Sequence, residues 1–211
     1  MTTRLIVWRH GNTDWNAGHR VQGQTDVPLN DLGRQQAVDA ADLLVRLRPT
    51  ALVASDLRRA ADTAAALAAL TGLPVTHDER LRERAFGQWE GLTMTEVETT
   101  RPAEHARWAA GADVIGGDVE TLDDLGKRVA DAYQAAADRC PAGSTIVVAT
   151  HGAAARSGIG QLLGWPREQL RTLRALQNCH WAELTHDDSR GWQLGSYNVG
   201  PFSDRPVPPP V

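Results

Sequence analysis

The sequence predicts an α/β fold with a mostly parallel central sheet. Three observations carry that reading. Short apolar runs alternate with amphipathic segments along most of the chain. Two of those runs, Leu5 to Trp8 and the Ile146 to Ala149 stretch of the strand Thr145 to Ala149, are continuously apolar, as strands covered on both faces are. Each of the two leads into a His-Gly pair, where strand gives way to loop or helix.

Taken in order, Leu5 to Trp8 is a buried strand that runs straight into Arg9-His10-Gly11. Asp31 to Arg46 reads as a helix: Ala37, Ala40, Ala41, Leu44 and Leu47 recur with helical spacing, and Pro49 stops it. Ala51 to Ala54 is a second strand, followed by Ser55-Asp56. The next helix has Leu57, Ala60, Ala61, Ala64, Leu67 and Ala68 on one face and Gly72-Leu73-Pro74 at its end. Pro74 to His77 is a weaker third strand. Residues 82–120 are less regular, with Gly, Trp and Glu and then short helical patterns around Thr95–Thr99 and Ala103–Ala109. They read as a lid inserted into a single domain over 1–199. Leu122 to Arg139 is an amphipathic helix, Thr145 to Ala149 the clearest strand, and Ala153 to Leu163 the helix that follows Thr150-His151-Gly152. His180 to Thr185 and Trp192 to Tyr197 pair as a hairpin across Asp187 to Gly191. The tail, 200–211, holds five of the chain's eleven prolines and is expected to be extended or disordered.

Composition bounds the function. The chain has 211 residues, 42% of them hydrophobic and 23% charged, as in an ordinary globular domain. A net charge of −4 and the absence of a basic stripe argue against nucleic acid as a partner. Lys127 is the only lysine among 22 basic residues. Arginine suits phosphate recognition, although a biased genome produces the same excess. The apolar run at the N-terminus is only four residues long, short of a secretory or membrane-spanning segment. Cys140 and Cys179 are far apart and lack metal-ligand spacing. The cytoplasm is therefore the expected location, with both thiols free and no membrane partner. The apolar helix faces are compatible with a homodimer.

The chemistry gathers at strand ends. In open α/β sheets, ligands bind at the carboxyl ends of strands. If the strands before His10 and His151 are neighbours, both histidines face one pocket. A lone histidine is more often structural, but two in the same context, with Arg9 attached, point to a site. Arg58 and Arg59 lie at another strand-to-helix junction, where a helix N-terminus already favours anions. Glu83 follows the third strand. A carboxylate beside a phosphate is pushed toward its protonated form by like charge and desolvation, which suits a proton donor. There is no P-loop, no G-x-S-x-G elbow, no H-E-x-x-H and no EF-hand loop.

Arg9-His10-Gly11-Asn12-Thr13 resembles the RHG signature of the histidine phosphatase superfamily, also called phosphoglycerate mutase-like. Trp15-Asn16, Gln22 to Leu29, Gly33 and Gln36-Ala37 continue the family's N-terminal pattern. Ser55 to Ala64, Leu81-Arg82-Glu83 with Gly87 to Gly91, and Thr150-His151-Gly152 are similar to its later motifs, and the likeness runs over roughly residues 3–198. It implies a three-layer α/β/α sandwich with a helical lid. It implies His10 as a nucleophile that carries the phosphoryl group, and Arg9, Arg59 and His151 as clamps on the phosphoryl oxygens. Asn16 and Gln22 would be neutral donors, Gly152 part of the phosphate site, and Glu83 the acid and then the base. No metal and no other cofactor is implied, and the partner is a small phosphorylated metabolite. Residues 86–93 hold no lysine and the insertion is short, which favours the phosphatase branch over a cofactor-dependent phosphoglycerate mutase or a non-catalytic phospholigand-binding member. Within that branch the pattern is similar to actinobacterial members acting on glucosyl-3-phosphoglycerate. The chain departs from the family where Val119 precedes Glu120-Thr121, with Gly116-Gly117 upstream.

Overall fold

A computed structural model describes residues 2–201; the expectation for the proline-rich tail lies, from 202 onward, outside the described residues. The elements run β1 Thr3–Arg9, α1 Asp14–Ala17, α2 Asp31–Leu44, β2 Ala51–Ala54, α3 Arg58–Thr71, β3 Val75–His77, α4 Met94–Thr100, α5 Pro102–Ala109, α6 Leu122–Asp138, β4 Thr145–Thr150, α7 Gly152–Leu162, α8 Arg167–Leu170, β5 Trp181–Asp187 and β6 Gly191–Val199. The sheet has six strands in the order β3-β2-β4-β1-β5-β6. β1, β2, β3 and β4 pair in parallel, while β5 and β6 are antiparallel. The predicted class therefore holds, with the late hairpin forming one edge.

The strand pleat explains why the middles of the central strands are apolar on both faces. On β1, Leu5 and Val7 enter a core with Leu125, Val129 and Tyr133 of α6 and Ile159 of α7. Ile6 and Trp8 enter the opposite core, with Ala37, Ala41 and Leu44 of α2 and Leu67 of α3. Two cores, one on each face, make the three layers. Both helices on the second face end by identifiable devices. α2 tightens into a 3₁₀ turn at Val45–Leu47, two residues before Pro49. α3 closes on Gly72 at φ 70°, a left-handed conformation in which a side chain is strained.

Residues 82–120 carry a small core built from Trp89, Val97, Ile115 and Val119. Trp89 is fully buried and donates from Nε1 to Glu104 Oε2 at 2.7 Å, so it packs this segment; Trp108 stays 40% exposed. Several boundaries shift from the sequence reading. α2 stops at Leu44, α6 at Asp138 and α7 at Leu162, α7 starts at Gly152, and the hairpin strands run Trp181–Asp187 and Gly191–Val199, so Asp187 and Gly191 end strands and are not loop residues. No helix among the described residues is long and apolar enough to cross a membrane.

Candidate active site

The register of the sheet builds the site. Arg9, at the end of β1, pairs with Thr150, at the end of β4. The chain then carries His10 N–H to Thr150 O at 2.9 Å. The two histidines are thereby forced together: their ring centroids are 5.1 Å apart. β2 lies on the other side of β4, so α3, which follows it, brings Arg59 to the same place. This is the strand-order reversal at which α/β sheets bind ligands.

His10 is 3% exposed, and its Nδ1 lies 2.7 Å from Gly11 O. A carbonyl can only accept, so Nδ1 carries the proton and Nε2 presents its lone pair. Gly11 is itself held, its N–H donating to Thr63 Oγ1 at 3.0 Å. His151 has the other tautomer. Its Nδ1 accepts from Arg59 Nε at 3.1 Å, which leaves the proton on Nε2. That nitrogen is buried and has no partner among the described residues. Both rings are held well below the usual imidazole pKa, first by burial and then by the Arg59 guanidinium. The free protein thus keeps both neutral at neutral pH.

That neutrality has a measurable consequence. Unfolding lets both rings ionise near their ordinary value of about 6.5. Below that value the unfolded chain binds more protons than the folded one, so stability falls as pH falls. The melting temperature is expected to drop between about pH 7 and pH 5, and the drop should be shallower in His10→Asn. An equal slope in that variant would contradict the burial argument.

Arg59 is fully buried and donates to Thr25 O at 2.8 Å, Gly23 O at 2.7 Å and His151. Burial lowers its pKa to about 10, so it remains a cation. Arg58, its neighbour, is exposed and simply donates its N–H to Asp26. Arg9 donates from Nη1 to Leu176 O at 2.5 Å, while its Nε is buried and unpartnered among the described residues. Gly152 sits against it: a Cβ there would lie 3.5 Å from Arg9 Nε and 3.8 Å from Glu83 Oε2. Glu83 caps the start of α7. Its Oε1 accepts from Arg84 N–H and Ala154 N–H at 2.8 and 2.9 Å, its Oε2 from Ala153 N–H at 3.1 Å. Arg128 braces the same loop, donating to Glu83 O at 2.9 Å and pairing with Glu120.

Asn16 and Gln22 complete the predicted set. Asn16 Oδ1 accepts from Thr13 N–H at 3.2 Å and from Asn178 Nδ2 at 3.4 Å, so its oxygen end is occupied and the amide nitrogen is the end left to donate. Gln22 is 9% exposed, with Oε1 buried and unpartnered among the described residues. Sequence reasoning missed the supports. Asn178 donates to His10 O at 3.0 Å, and Cys179 N–H reaches Arg9 O at 3.1 Å from a residue at φ 57°. Only contact across the fold reveals them, since Asn178 lies 168 residues from His10.

Two neutral histidines, two buried guanidinium groups and a carboxylate at one strand-end cleft define a protein that handles phosphate esters. The chain belongs to the histidine phosphatase superfamily, branch 1, whose family model matches residues 5–200, and it is a phosphatase-type hydrolase of that family. It is 39% identical over 212 residues to the glucosyl-3-phosphoglycerate phosphatase of Mycolicibacterium vanbaalenii, covering 95% of this chain and 90% of that one. A mycobacterial glucosyl-3-phosphoglycerate phosphatase solved in complex with VO3 superposes with a TM-score of 0.86 at 36% identity, covering 93% of this chain and 99% of that one. A probable phosphoglycerate mutase of Yersinia pestis is 34% identical over 214 residues, covering 97% and 96%.

Proposed function

We propose that the protein is a metal-independent phosphomonoesterase that works through a phosphohistidine on a small phosphorylated metabolite. The observation that carries this reading is the pair of tautomers: His10 keeps a lone pair on Nε2 and His151 an N–H on Nε2, with the two ring centroids 5.1 Å apart. One ring attacks and the other holds an oxygen of the group attacked.

In the first step His10 Nε2 attacks phosphorus and the P–O ester bond breaks, its electron pair leaving with the alkoxide. Glu83 gives that alkoxide a proton. Arg9, Arg59 and His151 hold the phosphoryl oxygens as charge shifts, with Asn16, Gln22 and the Gly152 backbone at the edge of the cradle. In the second step water attacks phosphorus, Glu83 takes its proton, and the P–N pair returns to His10. Splitting the reaction in two gives two lower barriers.

Glucosyl-3-phosphoglycerate is the favoured substrate. The support is the likeness to the mycobacterial phosphatases named for it and the chain's full-length coverage of them. The mutase reading needs a site that keeps water from the phosphohistidine. The short insertion without lysine in residues 86–93 favours hydrolysis instead. The test is phosphate release in EDTA from glucosyl-3-phosphoglycerate, 3-phosphoglycerate, sugar phosphates and p-nitrophenyl phosphate. Glucosyl-3-phosphoglycerate should give the highest kcat/KM. Isomerisation of 3-phosphoglycerate in place of release would establish the mutase.

A further inference from the structure

Glu90 takes no part in either chemical step, yet both oxygens of its carboxylate are in use. It follows the 3₁₀ turn Gly87–Trp89, which the fully buried Trp89 ring anchors. Its Oε1 accepts from Gln24 N–H at 3.0 Å and from Phe86 N–H at 3.1 Å. Its Oε2 accepts from Thr25 N–H at 2.9 Å and from the Thr25 hydroxyl at 2.6 Å. Among the described residues, no cation lies within ion-pair distance of it. The charge is met by N–H and O–H groups, and such charge-assisted bonds are short and directional.

The loop 22–26 that Glu90 holds runs past three parts of the site. Gly23 O and Thr25 O accept from Arg59 Nη2 and Nη1 at 2.7 and 2.8 Å, while Arg59 Nε serves His151. Gln24 Nε2 donates to Glu83 O at 3.2 Å. Asp26 Oδ1 accepts from Arg58 N–H at 2.7 Å, where α3 begins. Before the loop, Val21 is tied by its backbone to Gly91 and Leu92. From Gln24 to Asp26, the hydrogen bonds to residues 86–93 run, among the described residues, through Glu90. Gly23 comes so close that a Cβ there would overlap Glu90 Oε1. Burial lowers the Arg59 pKa, and Glu83, Asp26 and Glu90 are the anions that oppose it.

We infer that Glu90 is a positioning residue: it clamps the loop 22–26, and the Gly23 and Thr25 carbonyls pass that hold to the Arg59 guanidinium and through it to the His151 ring. The inference rests on the phosphatase reading for what Arg59 grips, and it names what aims the grip. A guanidinium has five N–H bonds in one rigid plane. Three are fixed by His151, Thr25 and Gly23, so the other two point one way. Without the clamp the two carbonyls shift and Arg59 follows them. A displacement too small to unfold a protein is still costly to a reaction.

The test is Glu90→Gln, which keeps the shape of the side chain. Whichever way the new amide turns, its NH2 faces a backbone N–H that had an acceptor. Inorganic phosphate, titrated by calorimetry, should bind the variant about tenfold more weakly. On p-nitrophenyl phosphate, kcat/KM should fall about 10²-fold. In nitrogen NMR spectra of protein with isotope-labelled histidine, wild-type His151 should carry its proton on Nε2. In the variant its two ring-nitrogen signals should move toward each other as the tautomers mix. A residue that only fills space predicts none of these changes. Glu96→Gln, which retains the capping box at Thr93, should match wild type in all three. Should Glu90→Gln not fold, Thr25→Val deletes one arm of the clamp and keeps the backbone, and phosphate should bind it about threefold more weakly. Unchanged phosphate affinity in the folded variant, or an unchanged His151 pattern in Glu90→Gln, would overturn the clamp. Weaker phosphate binding by Glu90→Gln, where wild type hydrolyses no ester, would keep the clamp and overturn the phosphatase reading.

Discussion

His10→Ala is expected to abolish turnover, lowering kcat by roughly 10⁴-fold or more, as loss of a covalent nucleophile does. At 1.36 kcal/mol per decade that is a barrier raised by about 5.4 kcal/mol. Among the described residues, the ring's one hydrogen bond is to its neighbour's carbonyl, so the fold should survive the substitution. Arg9, Arg59 and His151 stay in place, and phosphate should still bind the variant. Rapid quench of wild type with labelled substrate should trap an acid-labile, alkali-stable phosphoryl protein that the variant cannot form. If His10→Ala keeps more than about a tenth of wild-type kcat/KM, water attacks the ester directly and the two-step scheme fails.

The central strands were legible because burial on both faces leaves a continuous apolar signature, as in Leu5 to Trp8 and Ile146 to Ala149. The helices on the two faces were legible from their period. Strand order was not: nothing local says that β4 inserts between β2 and β1. That order decides the site, because it places Thr150-His151 beside Arg9-His10. The sequence could state only the condition that the two strands be neighbours, and the register meets it.

Among the site residues, those on strand ends and helix starts could be found from their context. Residues that hold the site through backbone contacts could not. Asn178 acts by donating to a carbonyl and Thr63 by accepting from an amide, and neither role leaves a trace in composition or spacing. The tautomers of His10 and His151 are likewise tertiary facts, set by Gly11 O and Arg59 Nε.

Gly33→Ala tests how far the site depends on its backing. Gly33 lies in the first turn of α2, in a helix where alanine is favoured by about 1 kcal/mol. Propensity alone therefore predicts stabilisation. Sterics predict the opposite: a Cβ at Gly33 would overlap Asn12 O and lie 2.6 Å from Asn12 N. The obstacle is backbone, which cannot rotate away, and it is fixed on both sides. Asn12 N–H donates to Gln36 Oε1 at 2.9 Å, and Asn12 O accepts from Asn30 N–H at 3.1 Å. Overpacking of this kind costs about 3 kcal/mol, which outweighs propensity and leaves a net loss of about 2 kcal/mol. The melting temperature should fall by roughly 4–8 °C. The displaced loop also carries Gly11 O, the carbonyl that orients His10, so kcat should fall as well, since small displacements of a reacting group are costly. Gly72→Ala is the control. It strains a left-handed residue with nothing within 4 Å of the new Cβ, so it should lower the melting temperature without touching kcat. A Gly33→Ala protein more stable than wild type, or one with wild-type kcat, would show that the loop can retreat from α2 and that the aim of His10 does not depend on this contact.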